Sequence, residues 1–223
     1  YISGGNAWMM RDTSASRRPL TASGDLDGRV MALSPDGDWL IYTRVMADAG
    51  PAVLNSLWIV GTTILNEEPQ PLGIEGVIYA EWMNDGRSFI YSTAERIAGS
   101  PGWKAHNDLW RADLRGLTPA GRRTGQETIS ARTKLIAPSP AEELYGWWGT
   151  NFALSPDNRW VAYGRPGAVG VLDLHTGADQ TLLDFAVYHT YGEWVWLPEL
   201  SWSPESDFLV CSAHGASPVG GRP

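Results

Sequence analysis

The chain has 223 residues, with 25 Asp and Glu against 17 Lys and Arg for a formal charge of −8, a balance that argues against a nucleic-acid backbone or an anionic membrane surface as partner. Its 43% of apolar residues can fill a sizeable core and exclude global disorder, and no apolar run approaches the ~18 residues of a membrane-spanning helix. The single cysteine, Cys211, excludes an internal disulfide and a cysteine-rich zinc site.

Twelve Trp, 25 Gly and 15 Pro point to many short strands joined by tight turns, because aromatic residues favour strands while Gly and Pro interrupt them. In chain order, residues 1–22 supply only the later strands of a unit, Asn6-Ala7-Trp8-Met9-Met10 and then Arg18-Pro19-Leu20-Thr21. Asp25-Leu26-Asp27-Gly28 opens like a calcium loop but lacks the later acidic ligands, and reads as a turn. A full unit follows over 29–73. It holds the strand–turn–strand Ala32-Leu33-Ser34-Pro35-Asp36-Gly37-Asp38-Trp39-Leu40-Ile41-Tyr42-Thr43, a third strand Asn55-Ser56-Leu57-Trp58-Ile59-Val60 and an outer strand at Gln70-Pro71-Leu72. The second full unit, 77–137, repeats the pattern with the turn Met83-Asn84-Asp85-Gly86, a third strand Asn107-Asp108-Leu109-Trp110 and an outer strand Thr133-Lys134-Leu135-Ile136; surface insertions are expected within 95–106 and 114–131. The third, 149–184, has the turn Ser155-Pro156-Asp157-Asn158, then Gly170-Val171-Leu172 and Gln180-Thr181-Leu182-Leu183. Residues 195–213 provide only the first two strands of another unit, around Ser203-Pro204-Glu205-Ser206, and 214–223 is a tail.

The first turn residue recurs at positions 34, 83, 155 and 203, steps of 49, 72 and 48 residues. Two steps of that size fit one four-stranded blade each, and the long one fits a blade with insertions. The second strand of each unit is apolar on both faces, as in Trp39-Leu40-Ile41-Tyr42 and Phe208-Leu209-Val210-Cys211. A sheet with one wet face would alternate, whereas a blade packed between two neighbours needs both faces dry. The expected fold is therefore all-β: one fragmentary β-propeller domain over 1–223, with three full four-stranded antiparallel blades and partial blades at both ends. Cys211, inside such a strand, is expected to be buried and inert.

The Ser-Pro-Asp-Gly turn followed by a short apolar strand resembles the repeat of TolB-like propellers. It is also similar to the propellers that cover the catalytic domains of prolyl oligopeptidase and dipeptidyl peptidase. The pattern departs at Met83, where Ser-Pro is missing, and at Ser206, where Gly is missing; the Gly-His and Trp-Asp dipeptides of WD repeats are absent. The resemblance implies a non-catalytic scaffold for protein binding in the bacterial cell envelope, periplasmic or otherwise extracytoplasmic. The alternative it implies is the regulatory propeller of a serine peptidase whose catalytic domain lies outside this sequence.

The residues themselves give no catalytic centre. Ser100 and Ser217 both miss the Gly-x-Ser-x-Gly nucleophile pattern, and His106, His175, His189 and His214 lack metal-ligand spacing. No enzyme activity, metal or cofactor is expected. Asp36, Asp85 and Asp157 fall on the same turn of different blades and are expected to hold that turn's backbone. Two aromatic stretches remain, Tyr145-Gly146-Trp147-Trp148-Gly149 and Tyr188-His189-Thr190-Tyr191-Gly192-Glu193-Trp194. Each precedes an innermost strand and carries Gly, which lets rings project from a tight loop. Core packing between blades is the competing role, as expected for Trp39 and Trp160. Trp147, Trp148, Tyr191 and Trp194 are expected to include the anchors of a binding site for a protein partner, with a glycan as the second ligand class.

Overall fold

The computed structural model describes residues 1–10, 16–46, 54–63, 67–99, 102–116, 129–189 and 195–212. Its repeating element is the turn. Ser34 C=O accepts the amide of Gly37 at 2.8 Å, and the Ser34 hydroxyl accepts that of Trp39 at 2.9 Å. Ser155 does the same for Asn158 and Trp160, and Ser203 for Ser206 and Phe208. The fourth turn residue has φ near +60 to +77° in all four copies: Gly37, Gly86, Asn158 and Ser206. Gly and Asn adopt this left-handed region readily, and Ser206 is held there by the same hydrogen bonds. Asp36 and Asp157 each accept the amide two residues on, at 3.1 and 3.0 Å, and the turn's Ser hydroxyl at 2.5 Å.

The strands form five sheets, and each of the last four in chain order carries one copy of this turn. The first holds β1 (Ile2–Ser3), β2 (Asn6–Met10) and β3 (Arg17–Pro19). The second runs β4 (Leu26–Leu33), β5 (Trp39–Val45), β6 (Asn55–Gly61) and β7 (Gln70–Glu75), each antiparallel to the one before. The third is built around β9 (Ser88–Arg96), with β8 (Val77–Trp82), β11 (Leu109–Leu114) and β12 (Ile129–Ile136), plus a short added strand β10 (Trp103–Ala105). The fourth is β13 (Asn151–Leu154), β14 (Trp160–Arg165), β15 (Ala168–Asp173) and β16 (Asp179–Asp184); the fifth is the pair β17 (Leu200–Trp202) and β18 (Leu209–Cys211).

The chain divides into two compact units, Tyr1–Trp103 with Leu109–Lys134, and Lys104–Asp108 with Leu135–Pro223. In the first unit the second sheet is dry on both faces. Leu40, Tyr42 and Val60 form one core with Ala7 of the first sheet. Trp39, Ile41, Leu57 and Ile59, on the opposite face, form another with Trp82, Phe89 and Tyr91 of the third sheet. Burying such side chains contributes roughly 1.5–3 kcal/mol each, which is why the both-face apolar pattern demands neighbours on both sides. A polar latch accompanies the packing: the Trp82 indole N–H donates to Ala32 C=O at 3.0 Å. In the second unit the Trp202 indole donates in the same way to Ala153 C=O, also at 3.0 Å.

The Asn that begins each third strand also has a task. Asn6 accepts the amide of Gly24 at 2.8 Å, Asn55 donates to Val77 C=O at 3.0 Å, and Asn107 donates to Gly146 C=O at 2.7 Å. Asn6 and Asn55 thereby each tie their own sheet to the segment that leads into the next. The fourth sheet has no such Asn on β15, and Asn151 of β13 bonds Pro198 C=O at 2.8 Å instead.

Four expectations change. The outer strand of the third sheet begins at Ile129 rather than near Thr133. The segment 95–106, expected as loop, contains β10, which extends the sheet beside β9. Trp160 is only partly buried, with the Arg159 guanidinium 4.9 Å from its ring centre. Cys211 is half-buried rather than buried, because β18 pairs only with β17 among the described residues and one of its faces is open.

Candidate aromatic binding surface

The segment before β13 folds into a helix, α1 (Pro140–Tyr145). Ser139-Pro140-Ala141-Glu142 is a helix-start signature: Pro at the first position has no amide to satisfy, and the Glu three residues after Ser reaches back. The Glu142 carboxylate accepts the Ser139 amide at 2.5 Å and also accepts the Thr150 hydroxyl. It is fully buried, with Arg165 Nε 3.3 Å away as its counter-charge. Arg165 is held in turn by Ala137 C=O at 2.8 Å and by the Tyr163 ring, 4.3 Å away. A buried carboxylate is tolerated only with this kind of compensation.

Asn107 closes the network from a separate stretch of chain. Its amide donates to Ala105 C=O at 3.2 Å as well as to Gly146, and its oxygen accepts from Thr150 at 3.2 Å. The Ala105 amide donates to Trp147 C=O at 3.1 Å. Gly146 is required here, since a Cβ would meet Asn107 Nδ2 at 2.6 Å and Glu142 C=O at 2.7 Å. The loop carrying Trp147 and Trp148 is thus fixed by buried polar groups on its inner side.

Its outer side is apolar and open. Leu144 is 68% exposed and Trp147 36%. Lys104 donates to Glu143 C=O at 3.0 Å and places its ammonium 5.5 Å from the Trp147 ring centre. Tyr145 meets His189 edge to face at 5.0 Å, and Tyr188 beside it is exposed. The second aromatic stretch is closed by a bridge between His189 and Val195 and by the Trp196 amide donating to Tyr188 C=O at 3.0 Å. The two stretches therefore meet through Tyr145 and His189.

Of the four anchor positions expected from sequence, Trp147 lies on this surface and Trp148, next to it in the chain, is half-buried. Tyr191 and Trp194 lie outside the described residues. Leu144, Tyr145, Tyr188, His189 and Lys104 complete the surface without having been singled out. The aromatic ones stood in the two stretches already noted, but Lys104 sat in a presumed insertion and Leu144 on an unforeseen helix. Among the described residues no group of three His, Cys, Asp or Glu is placed to hold a metal, and no helix is long and apolar enough to cross a membrane.

Five antiparallel sheets, four of them carrying one repeated turn, with cores shared face to face within the first unit, define a β-propeller. Neither a family model nor a curated protein matches the sequence, but solved structures do. TolB from Acinetobacter baumannii aligns with a TM-score of 0.54 at 17% identity, over 94% of this chain and 43% of that one. A putative TolB from Agrobacterium tumefaciens aligns with a TM-score of 0.44 at 13% identity, over 90% and 66%. The propeller domain of the trilobed protease from Pyrococcus furiosus aligns with a TM-score of 0.47 at 11% identity, over 81% and 49%. The fold is that of a TolB-like propeller, and this chain spans less than half the length of the Acinetobacter TolB chain it matches.

Proposed function

We propose that this chain is a non-catalytic propeller scaffold that binds a protein partner through the surface formed by Leu144, Tyr145, Trp147, Tyr188 and His189. The observation that carries this reading is the combination of exposed aromatic rings with a rigid, buried polar support. Tyr and Trp supply large contact area at low conformational cost, and Glu142 and Asn107 reduce what remains to be ordered on binding. A glycan is the second ligand class, because exposed aromatic rings such as Trp147 and Tyr188 can also stack on a sugar. Location in the bacterial cell envelope rests on the resemblance of the repeat to TolB-like propellers.

The test is capture of partners from a bacterial envelope extract, alongside fluorescence titration with soluble oligosaccharides, for the parent and for Trp147→Ala and Tyr188→Ala. Loss of a true anchor costs ~2 kcal/mol or more of binding, roughly thirtyfold, with the melting temperature unchanged. Variants that bind normally, or that lose binding only in proportion to lost stability, would remove this surface from consideration.

A further inference from the structure

The cation on the aromatic surface differs from most of those that hold the fold together. Arg44, Arg111, Arg159 and Arg165 each have an Asp or Glu carboxylate between 2.7 and 3.6 Å away. Lys104 makes no such pair among the described residues, the exposed Glu143 included. One of its three N–H donors reaches the neutral carbonyl of Glu143 at 3.0 Å, and its charge lies 5.5 Å from the Trp147 ring centre. A cation held over a ring, with donors left over, is half of a site for a carboxylate.

Other polar side chains here are donors too. His189, edge to face with Tyr145, is exposed. So is His106, which stands between two residues that bond the Trp147 loop. An imidazole presents an N–H in either tautomer. Against these donors the rim carries one acid, Glu143. The apolar part of the surface separates the ligand classes. Leu144 stands 68% exposed, and an aliphatic side chain gives a sugar hydroxyl no partner, whereas it packs on the apolar side chains of a polypeptide.

We infer that the partner of this surface is a polypeptide segment in which Asp or Glu adjoins apolar side chains, the carboxylate meeting Lys104 beside the Trp147 ring. This partner chemistry rests on the reading of the surface as a binding site.

Selection of phage-displayed random dodecapeptides on the 223-residue chain tests it. Peptides that lose binding to Trp147→Ala should carry Asp or Glu within two residues of Leu, Phe or Trp. For the tightest of them, fluorescence anisotropy should give about tenfold weaker binding to Lys104→Glu, little change for Lys104→Arg and about twofold tighter binding to Glu143→Gln. Replacing the peptide's acid by its amide should weaken binding to the parent but not further to Lys104→Gln, the signature of a direct pair. Lys104 and Glu143 are both at least half exposed to solvent contact, so melting should not change. Trp147-dependent peptides without an acidic preference, or peptide and Lys104 effects that simply add, would overturn the acidic partner and leave the surface standing. A selection that yields only peptides binding Trp147→Ala as well as the parent, or none, would remove the surface and the acidic partner with it.

Discussion

At the turn between β4 and β5, the Ser34 hydroxyl accepts the amide of Trp39, and Asp36 accepts the Asp38 amide and that hydroxyl. At the turn between β8 and β9, Met83 stands where Ser34 would, and Asp85 takes over both tasks. Its carboxylate accepts the amides of Arg87 and Ser88, both at 2.8 Å, and the Ser88 hydroxyl at 2.6 Å. The backbone is the same, with Gly86 and Gly37 both in the left-handed region. What the turn conserves is the set of satisfied amides, not the residue that satisfies them, and the load on the aspartate differs accordingly.

The largest expected effect follows from that load. Asp85→Ala leaves three donors without their acceptor, two of them on buried Ser88, and should cost about 2 kcal/mol. Asp36→Ala leaves the Ser34 hydroxyl in place and should cost about half as much. Urea midpoints for the pair measure the difference, and equal losses would refute the division of tasks. Ser34→Ala comes next, at about 1.5 kcal/mol, because it leaves the amide of buried Trp39 without its acceptor. Gly37→Ala should cost about 1 kcal/mol. No atom lies within 4 Å of the added Cβ, so the loss measures left-handed backbone strain alone.

The smallest effect is expected in acid. Burial opposes ionisation of Asp85, but the hydrogen bonds from Ser88 and Arg87 and the nearby Arg111 outweigh it and hold the carboxyl below its ordinary 3.8. A depressed folded pKa stabilises fully above the unfolded value, and the contribution is lost as pH falls through the folded one. The stability gap between the parent and Asp85→Asn should therefore be constant near neutrality and shrink below about pH 4. A gap that persists at lower pH would show that the charge of Asp85 contributes nothing.

The fold was legible because the turn is a local device: an acidic residue and then a residue tolerant of positive φ, preceded by Pro in three of its four copies. The Asn before the Trp was equally visible, though its role in joining sheets was not, since its partners at Gly24, Val77 and Gly146 follow no fixed spacing. Helix α1 has its start signal in Ser139-Pro140-Ala141-Glu142, but its six residues leave no periodicity to detect. The support of the aromatic surface was not legible. Asn107, Glu142, Thr150 and Arg165 come from four segments, and only folding brings them together. Cys211 marks the opposite limit: the strand pattern states which faces must be dry but not whether a neighbour is there to dry them.

The asparagine ties have a consequence for how the molecule opens. Asn6 and Asn55 each bond the connection entering the following sheet, so a sheet that melts also releases the entry to its successor. Unfolding in such an array is a nearest-neighbour process, in which the coupling between repeats sets how cooperative the transition is. Asn55 is one of the two such ties within the first unit. Hydrogen exchange after Asn55→Ala should show the amides of β8 opening by local fluctuation while those of β5 keep their protection, splitting one cooperative transition into two.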